Sequence, residues 1–160
     1  MAAEAVDALR AAGATIATAE SLTGGLVCAS LVSVPGASDV VRGGVVAYSA
    51  DVKIAMLGVD EALVAERGTV DADVAAAMAT GVRDRLGATY GVSTTGVAGP
   101  GPSEGKPAGT VHVAVAGPRG VETRLLTLSG DRDQIRSETV DALLSWLVAR
   151  LGEESRTRRG

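Results

Sequence analysis

The amino-acid sequence predicts a three-layer α/β/α sandwich around a mixed, mostly parallel five-stranded sheet. Three observations carry that expectation. Strand-like and helix-like segments alternate along most of the chain, the last two strand-like segments flank a Pro-Arg-Gly turn, and no repeat or low-complexity segment interrupts the order. Alternation implies parallel strands joined by helical crossovers, and a terminal hairpin adds antiparallel pairing, so the sheet must be mixed. With 160 residues and 46% hydrophobic content, the chain can bury one core but not two comfortable ones. Residues 1–152 are read as a single domain and 153–160, with Arg156, Arg158 and Arg159, as a disordered polar tail.

Residues 3–12 have helical spacing, and "ATIATAE" at 14–20 alternates with β-branched residues, the signature of a strand. Leu26, Ala29, Leu31 and Val32 follow as a helix, closed by the Pro and Gly of "VPGAS" at 34–38. "VVRGGVVAYS" at 40–49 reads as the second strand, and "ADVKIAML" as a short helix. The stretch 71–86 is the clearest amphipathic helix, with Val74, Ala77, Met78 and Val82 on one face. "ATYGVSTTGVAG" reads as the third strand, followed by a Gly/Pro loop to about 108. "GTVHVAVAG" and "VETRLLTLS" form the hairpin, and a last helix over 131–151 turns Ile135, Val140, Leu143, Leu144 and Leu147 inward.

Charge and cysteine usage exclude several classes. A net charge of −4 offers no basic face for a phosphate backbone, so no nucleic-acid partner is expected. Glu4 and Asp7 stand where a signal peptide would be basic and then apolar, and no segment is long and apolar enough to span a membrane, so a cytoplasmic location is expected. The single cysteine, Cys28, permits no internal disulfide and no multi-cysteine metal site, and its apolar neighbours place it in the core.

Open sheets bind ligands beyond the carboxyl ends of their parallel strands. Ser21 ends the first strand, Tyr48 the second, and the loop from Thr95 follows the third, so all three converge if those strands are parallel. Ser21 is either a turn hydroxyl or a nucleophile, with the amides around Thr23, Gly24 and Gly25 available for an oxyanion or a phosphate. No G-x-S-x-G elbow surrounds it, and the one histidine, His112, lies mid-strand as a packing or surface residue. A serine nucleophile here would need a lysine base.

Of 15 basic residues 13 are Arg, and only Lys53 and Lys106 are Lys. Arg stays charged at any relevant pH, whereas Lys can lose its proton, so a chain this sparing with Lys draws attention to both. Ser49 is a natural N-cap that sets Lys53 near the first turn of a helix, where the dipole would lower its pKa, although a plain surface lysine fits the same spacing. Tyr48 is either a proton relay or an amphipathic strand-end aromatic. The loop "TGVAGPGPSEGKPAGT" at 95–110 can form an anion-binding nest with Lys106 as a mobile counter-charge. It matches neither a P-loop nor a dinucleotide fingerprint.

Taken in order, "TAESLTGG", "VPGASDVVRGGVVAYSADVK", "LGV", "TTGVAGP", "KPAGTV" and "GDRDQIR" closely resemble the CinA C-terminal domain family over about residues 5–150. Stand-alone members of that family are nicotinamide-nucleotide amidohydrolases. The resemblance implies the mixed five-stranded α/β/α fold and hydrolysis of the carboxamide of nicotinamide mononucleotide, with no metal and no cofactor. It implies Ser21 as nucleophile, Lys53 as its base and Tyr48 as a helper in proton transfer to ammonia. Oxyanion and phosphate duties would fall to Thr23, Gly24, Gly25 and to Thr95, Gly96, Gly99, Lys106, Gly109 and Thr110, with Arg132 either reaching the phosphate or capping the last helix. The only expected partners are this pyridine mononucleotide and further copies of the chain in a homo-oligomer. Leu22 stands where many members have cysteine, and "GPGPSEGKP" lacks a glycine pair common in the loop. Many relatives carry a separate N-terminal nucleotide-pyrophosphatase-like domain; this chain starts directly at the amidase domain, so that activity is not expected of it. The alternative from a different class is a non-catalytic nucleotide-binding regulatory module, and a competence-related or DNA-repair role gains nothing from the acidic composition.

Overall fold

The computed structural model describes residues 1–160. In chain order the elements are α1 (Ala2–Ala11), β1 (Ile16–Glu20), α2 (Leu26–Val32), a single 3-10 turn (Ala37–Asp39), β2 (Val41–Val46), α3 (Ala50–Leu57), α4 (Glu61–Arg67), α5 (Ala72–Leu86), β3 (Tyr90–Gly96), β4 (Thr110–Gly117), β5 (Gly120–Thr127) and α6 (Arg132–Arg159). The sheet order is β2-β1-β3-β4-β5. β1 pairs parallel with β2 and β3, while β4 pairs antiparallel with β3 and β5. β4 therefore runs against the other four strands, and the mixed, mostly parallel sheet is as the alternation implied.

Helices cover both faces. On one, Val6, Leu9 and Leu31 from α1 and α2 and Ile135, Leu143 and Leu147 from α6 close over Ile16, Val92, Val113 and Val115. Each such fully buried aliphatic side chain contributes about 2 kcal/mol of burial. On the other face, Leu57 of α3 and Val74, Met78 and Val82 of α5 pack on Ala17 and Ala19. There α5 also approaches β4 closely through Ala75, Ala79, Ala114 and Ala116. Gly91 in β3 belongs to the same close approach, because a Cβ there would run into the Ala79 carbonyl.

Four differences from the sequence expectation have physical causes. β2 stops at Val46 rather than at Ser49, since Ser49 is already the N-cap of α3. Helix α4 was not anticipated; Asp60 caps it by accepting from the Ala62 N–H at 2.9 Å. The residues read as a disordered tail are helical to Arg159, because Glu154 is buried and accepts bonds from Tyr90 Oη at 2.5 Å and Arg150 Nε at 3.0 Å. Cys28 is only half-buried rather than a core residue. No helix is long and apolar enough to cross a membrane.

Candidate active site

β1 and β3 lie side by side, and their register pairs Glu20 with Thr94. One residue on, the Ser21 N–H donates to the Thr94 carbonyl at 3.0 Å, so Ser21 stands at the carboxyl end of the sheet as the last strand-bound residue. The chain then reverses within Ser21–Gly25, using left-handed backbone at Gly24 and Gly25 (φ 57° and 101°) that other residues adopt only with strain. Arg136 of α6 holds this turn by donating to the Leu22 carbonyl at 2.9 Å and the Thr23 carbonyl at 3.4 Å.

Glu20 fills the start of α2. Its carboxylate accepts from the Val27 and Cys28 N–H groups at 2.7 and 3.0 Å and from Thr23 Oγ1 at 2.7 Å. The positive end of α2 is thus occupied by the protein's own anion. Thr23, expected to face a ligand, is fully buried, and its hydroxyl also meets Thr94 Oγ1 at 2.8 Å. The Gly24 N–H is taken by the Ser21 carbonyl at 3.1 Å, whereas the Leu22, Thr23 and Gly25 N–H groups make no hydrogen bond within the chain. Of the expected amide cradle, the part beside Ser21 is free and the helix terminus is not.

From β2 the chain passes Ala47 and Tyr48 and enters α3, which carries Lys53 back under Ser21. Lys53 is 1% exposed. Its Nζ donates to Ser21 Oγ at 3.0 Å, to the Ala47 carbonyl at 2.8 Å and to the Tyr48 carbonyl at 3.0 Å. Burial pushes its pKa down to about 8, with the Glu104 carboxylate pulling partly the other way. The main cause is therefore desolvation and not the helix dipole that the sequence pointed to. Ser49 is the N-cap of α3 by position, but its hydroxyl donates to Asp51 Oδ1 at 2.6 Å rather than accepting from the helix.

The geometry at Nζ sets out what this pair can do. An ammonium uses all three hydrogens on the three oxygens. A neutral amine keeps two hydrogens on the fixed carbonyls, and its lone pair then faces the Ser21 hydroxyl. A pKa near 8 leaves about a tenth of the amine neutral at pH 7 and half of it at pH 8, and the neutral amine is the state of a general base. No histidine is near enough to compete: His112 lies half-buried on β4 opposite Thr95, its pKa lowered by burial.

Above Ser21 opens a cavity of about 380 Å³ whose lining includes Tyr48, Gly96, Gly99, Glu104 and Arg132. Tyr48 is 63% exposed, and its hydroxyl accepts from Arg132 Nη2 at 3.1 Å. Its main chain, not its hydroxyl, reaches the lysine. Arg132 opens α6 and also donates from Nη1 to the Gly99 carbonyl at 2.7 Å, so it ties the end of the β3 loop to the mouth. It is the one cationic side chain among the lining residues.

The rest of the loop divides in two. Gly96 and Gly99 line the cavity, but Thr95, Lys106, Gly109 and Thr110 do not. Thr95 spends its hydroxyl on the Thr69 carbonyl, and Lys106 is pinned to the Val70 carbonyl rather than being a mobile counter-charge. Gly109 packs where a Cβ would strike the Leu128 carbonyl, and Thr110 begins β4. Glu104 was missed by the sequence reading. At φ 52° it turns back and accepts from Thr69 N and Oγ1 at 2.6 and 2.9 Å and from Val70 N at 3.1 Å. Burial raises its pKa, but these bonds and Lys106 outweigh it and hold the carboxyl below its ordinary value. Glu20 and Arg136 were missed as well, although both lie inside quoted motifs.

Comparison with known proteins identifies the family of the chain. The model of the CinA C-terminal domain matches residues 1–151. A CinA-like protein of Frankia casuarinae is 56% identical over 138 residues, 86% of this chain and 32% of its own length. One from Myxococcus xanthus is 46% identical over 151 residues, 90% of this chain and 36% of its own. The chain thus spans about a third of the length of these curated relatives. Among solved structures, a competence-damaged protein (CinA) superfamily protein from Klebsiella pneumoniae superposes with a TM-score of 0.93 at 30% identity, covering 95% of this chain and 96% of that one. The competence/damage inducible protein CihA from Agrobacterium tumefaciens gives 0.89 at 37% identity, covering 94% and 93%. This chain belongs to the CinA C-terminal domain family.

Proposed function

We propose that this domain is an amidohydrolase that converts nicotinamide mononucleotide to nicotinic acid mononucleotide and ammonia, a cytoplasmic step of NAD salvage. The observation that carries the reading is the buried amine of Lys53 at 3.0 Å from Ser21 Oγ. Lys53 takes the Ser21 proton as Oγ attacks the carboxamide carbon. The Leu22 N–H, without a partner in the chain and belonging to a residue that lines the cavity, is a donor for the oxyanion that forms. Collapse of the tetrahedral species breaks the C–N bond, and the proton held by Lys53 leaves with ammonia. An ester on Ser21 remains. Water attacks that ester with Lys53 again as base, releasing the carboxylate and restoring the serine.

The mouth supports the nucleotide half of the reading. Arg132 keeps N–H groups unspent after its bonds to Gly99 and Tyr48, and a phosphate is the anion that suits a guanidinium at a cavity rim. Tyr48 belongs with Arg132 in this role, since its hydroxyl bonds the guanidinium and neither reacting side chain.

The test is ammonia release from nicotinamide mononucleotide by the purified domain, with binding followed by calorimetry. Turnover by wild type, and its loss in Ser21→Ala with binding retained, supports the amidase. Binding without ammonia release by wild type would make the domain a non-catalytic nucleotide-binding module instead.

A further inference from the structure

β5 closes one end of the sheet, and nothing packs along its outer edge. All six residues from Gly120 to Leu125 are exposed, including Val121 at 42% and Leu125 at 60%. Edge strands are normally blunted by brevity, bulges, proline or lysine, because their unpaired N–H and C=O groups invite another strand. Of the devices that blunt an edge, β5 carries only two charges of opposite sign, Glu122 and Arg124. It is eight residues long, pairs with β4 in unbroken register and contains neither Lys nor Pro. The opposite edge, β2, is shorter, carries Gly43 and Gly44, and pairs with β1 across an irregularity at Ile16/Ala17.

The sequence of β5 is complementary to itself when reversed. A two-fold axis perpendicular to the sheet keeps the two faces apart, so only residues on the same face can oppose one another. With the axis at Thr123, Val121 lies opposite Leu125 of a second copy, and Glu122 opposite Arg124. Apolar then meets apolar on the α5 face, and opposite charges meet on the α6 face. Moving the axis to Glu122 or Arg124 would set like charges against each other, and moving it to Leu125 would set Arg124 against Leu126. Each charge also has a partner in its own chain: Glu122 lies 3.7 Å from Arg150, and the Arg124 guanidinium sits 4.4 Å over the Trp146 ring. Both lie on the face of β5 that α6 covers.

We propose that two copies of this chain pair β5 to β5, antiparallel about Thr123, to make one continuous ten-stranded sheet. The pairing leaves the Ser21 cavity, which opens at the ends of β1 and β3, untouched. It is independent of the amidase reading.

Two experiments test it on the intact chain. In sedimentation velocity at about 0.1 mM, where a small interface is populated, wild type is dimeric. Arg124→Glu is monomeric because two acidic pairs then face each other. The exchange Glu122→Arg with Arg124→Glu restores the dimer, which also shows that the single variant did not simply misfold. A monomeric wild type, or an Arg124→Glu protein that stays dimeric, overturns the proposal. For the register, Thr123→Cys in a Cys28→Ser background oxidises to a covalent dimer, because the two thiols meet at the axis. Val121→Cys, opposite Leu125, does not. Equal cross-linking of both overturns the Thr123 axis.

Discussion

At the floor of the cavity the polar atoms of the reacting pair have fixed partners, whereas at its mouth the side chains stand on exposed loops and helix starts. Lys53 is held by two carbonyls that belong to the chain just before its own helix, and Ser21 is held by the neighbouring strand. Tyr48 and Arg132 hold only each other and Gly99. The contrast divides the labour: the floor sets the protonation state and aim of the reacting pair, and the mouth chooses what is presented to it. A rigid floor is what chemistry on a positioned hydroxyl requires.

Substitutions separate the two regions, and those at the floor have the largest effects. Ser21→Ala and Lys53→Met each lower kcat for ammonia release by about 10⁴-fold or more, with Kd for the mononucleotide little changed. At the mouth, Arg132→Met raises KM for the mononucleotide by about 10- to 100-fold, the range for losing a charge-assisted phosphate bond, and leaves the rate on the phosphate-free nucleoside unchanged. Equal loss on both substrates would break the division between floor and mouth.

The stability of the floor is pH-dependent in a stated direction. Lys53 has a folded pKa of about 8 against an ordinary 10.5, so between these values the unfolded chain binds a proton that the folded chain does not. Stability then rises as pH rises from about 8 to 10, by about 2–3 kcal/mol in urea unfolding, and Lys53→Met flattens that rise. The window closes near pH 10. Above it Tyr90, pushed up to about 12 by burial and by its bond to Glu154, works in the opposite sense.

The smallest effect joins the two regions. Glu104 is the mouth residue whose charge keeps the Lys53 amine more protonated. Glu104→Gln shifts the rising limb of the pH profile of kcat/KM to lower pH by a fraction of a unit. An upward shift would contradict the assigned influence.

How much of this could be read from residues alone follows from the range of each contact. The mixed, mostly parallel five-stranded sheet was legible because alternation and glycine punctuation are local. Lys53 stood out because lysine is scarce here, yet the same scarcity pointed to Lys106, which the fold spends on the Val70 carbonyl. Scarcity marks a residue as chosen and does not say for what. Glu20 sat in plain view as a carboxylate ending an apolar strand, but its partners, the N–H groups of Val27 and Cys28, become partners only once the turn at Gly24 and Gly25 has closed. The helical end of α6 depends on a bond between Tyr90 and Glu154, 64 residues apart, which no local pattern carries. Glu104 was hidden for a similar reason: its acceptors' partners, Thr69 and Val70, come from another loop.

The central claim is that the Lys53 amine is available as a base beside Ser21. Direct titration of its side-chain resonance by NMR in selectively labelled protein measures that availability without substrate. Burial of the amine, partly offset by the Glu104 carboxylate, predicts a midpoint near 8, coinciding with the rising limb of kcat/KM. A midpoint at the ordinary 10.5 would mean the amine is a charged structural strut at neutral pH, and the Ser/Lys chemistry built on it would fall.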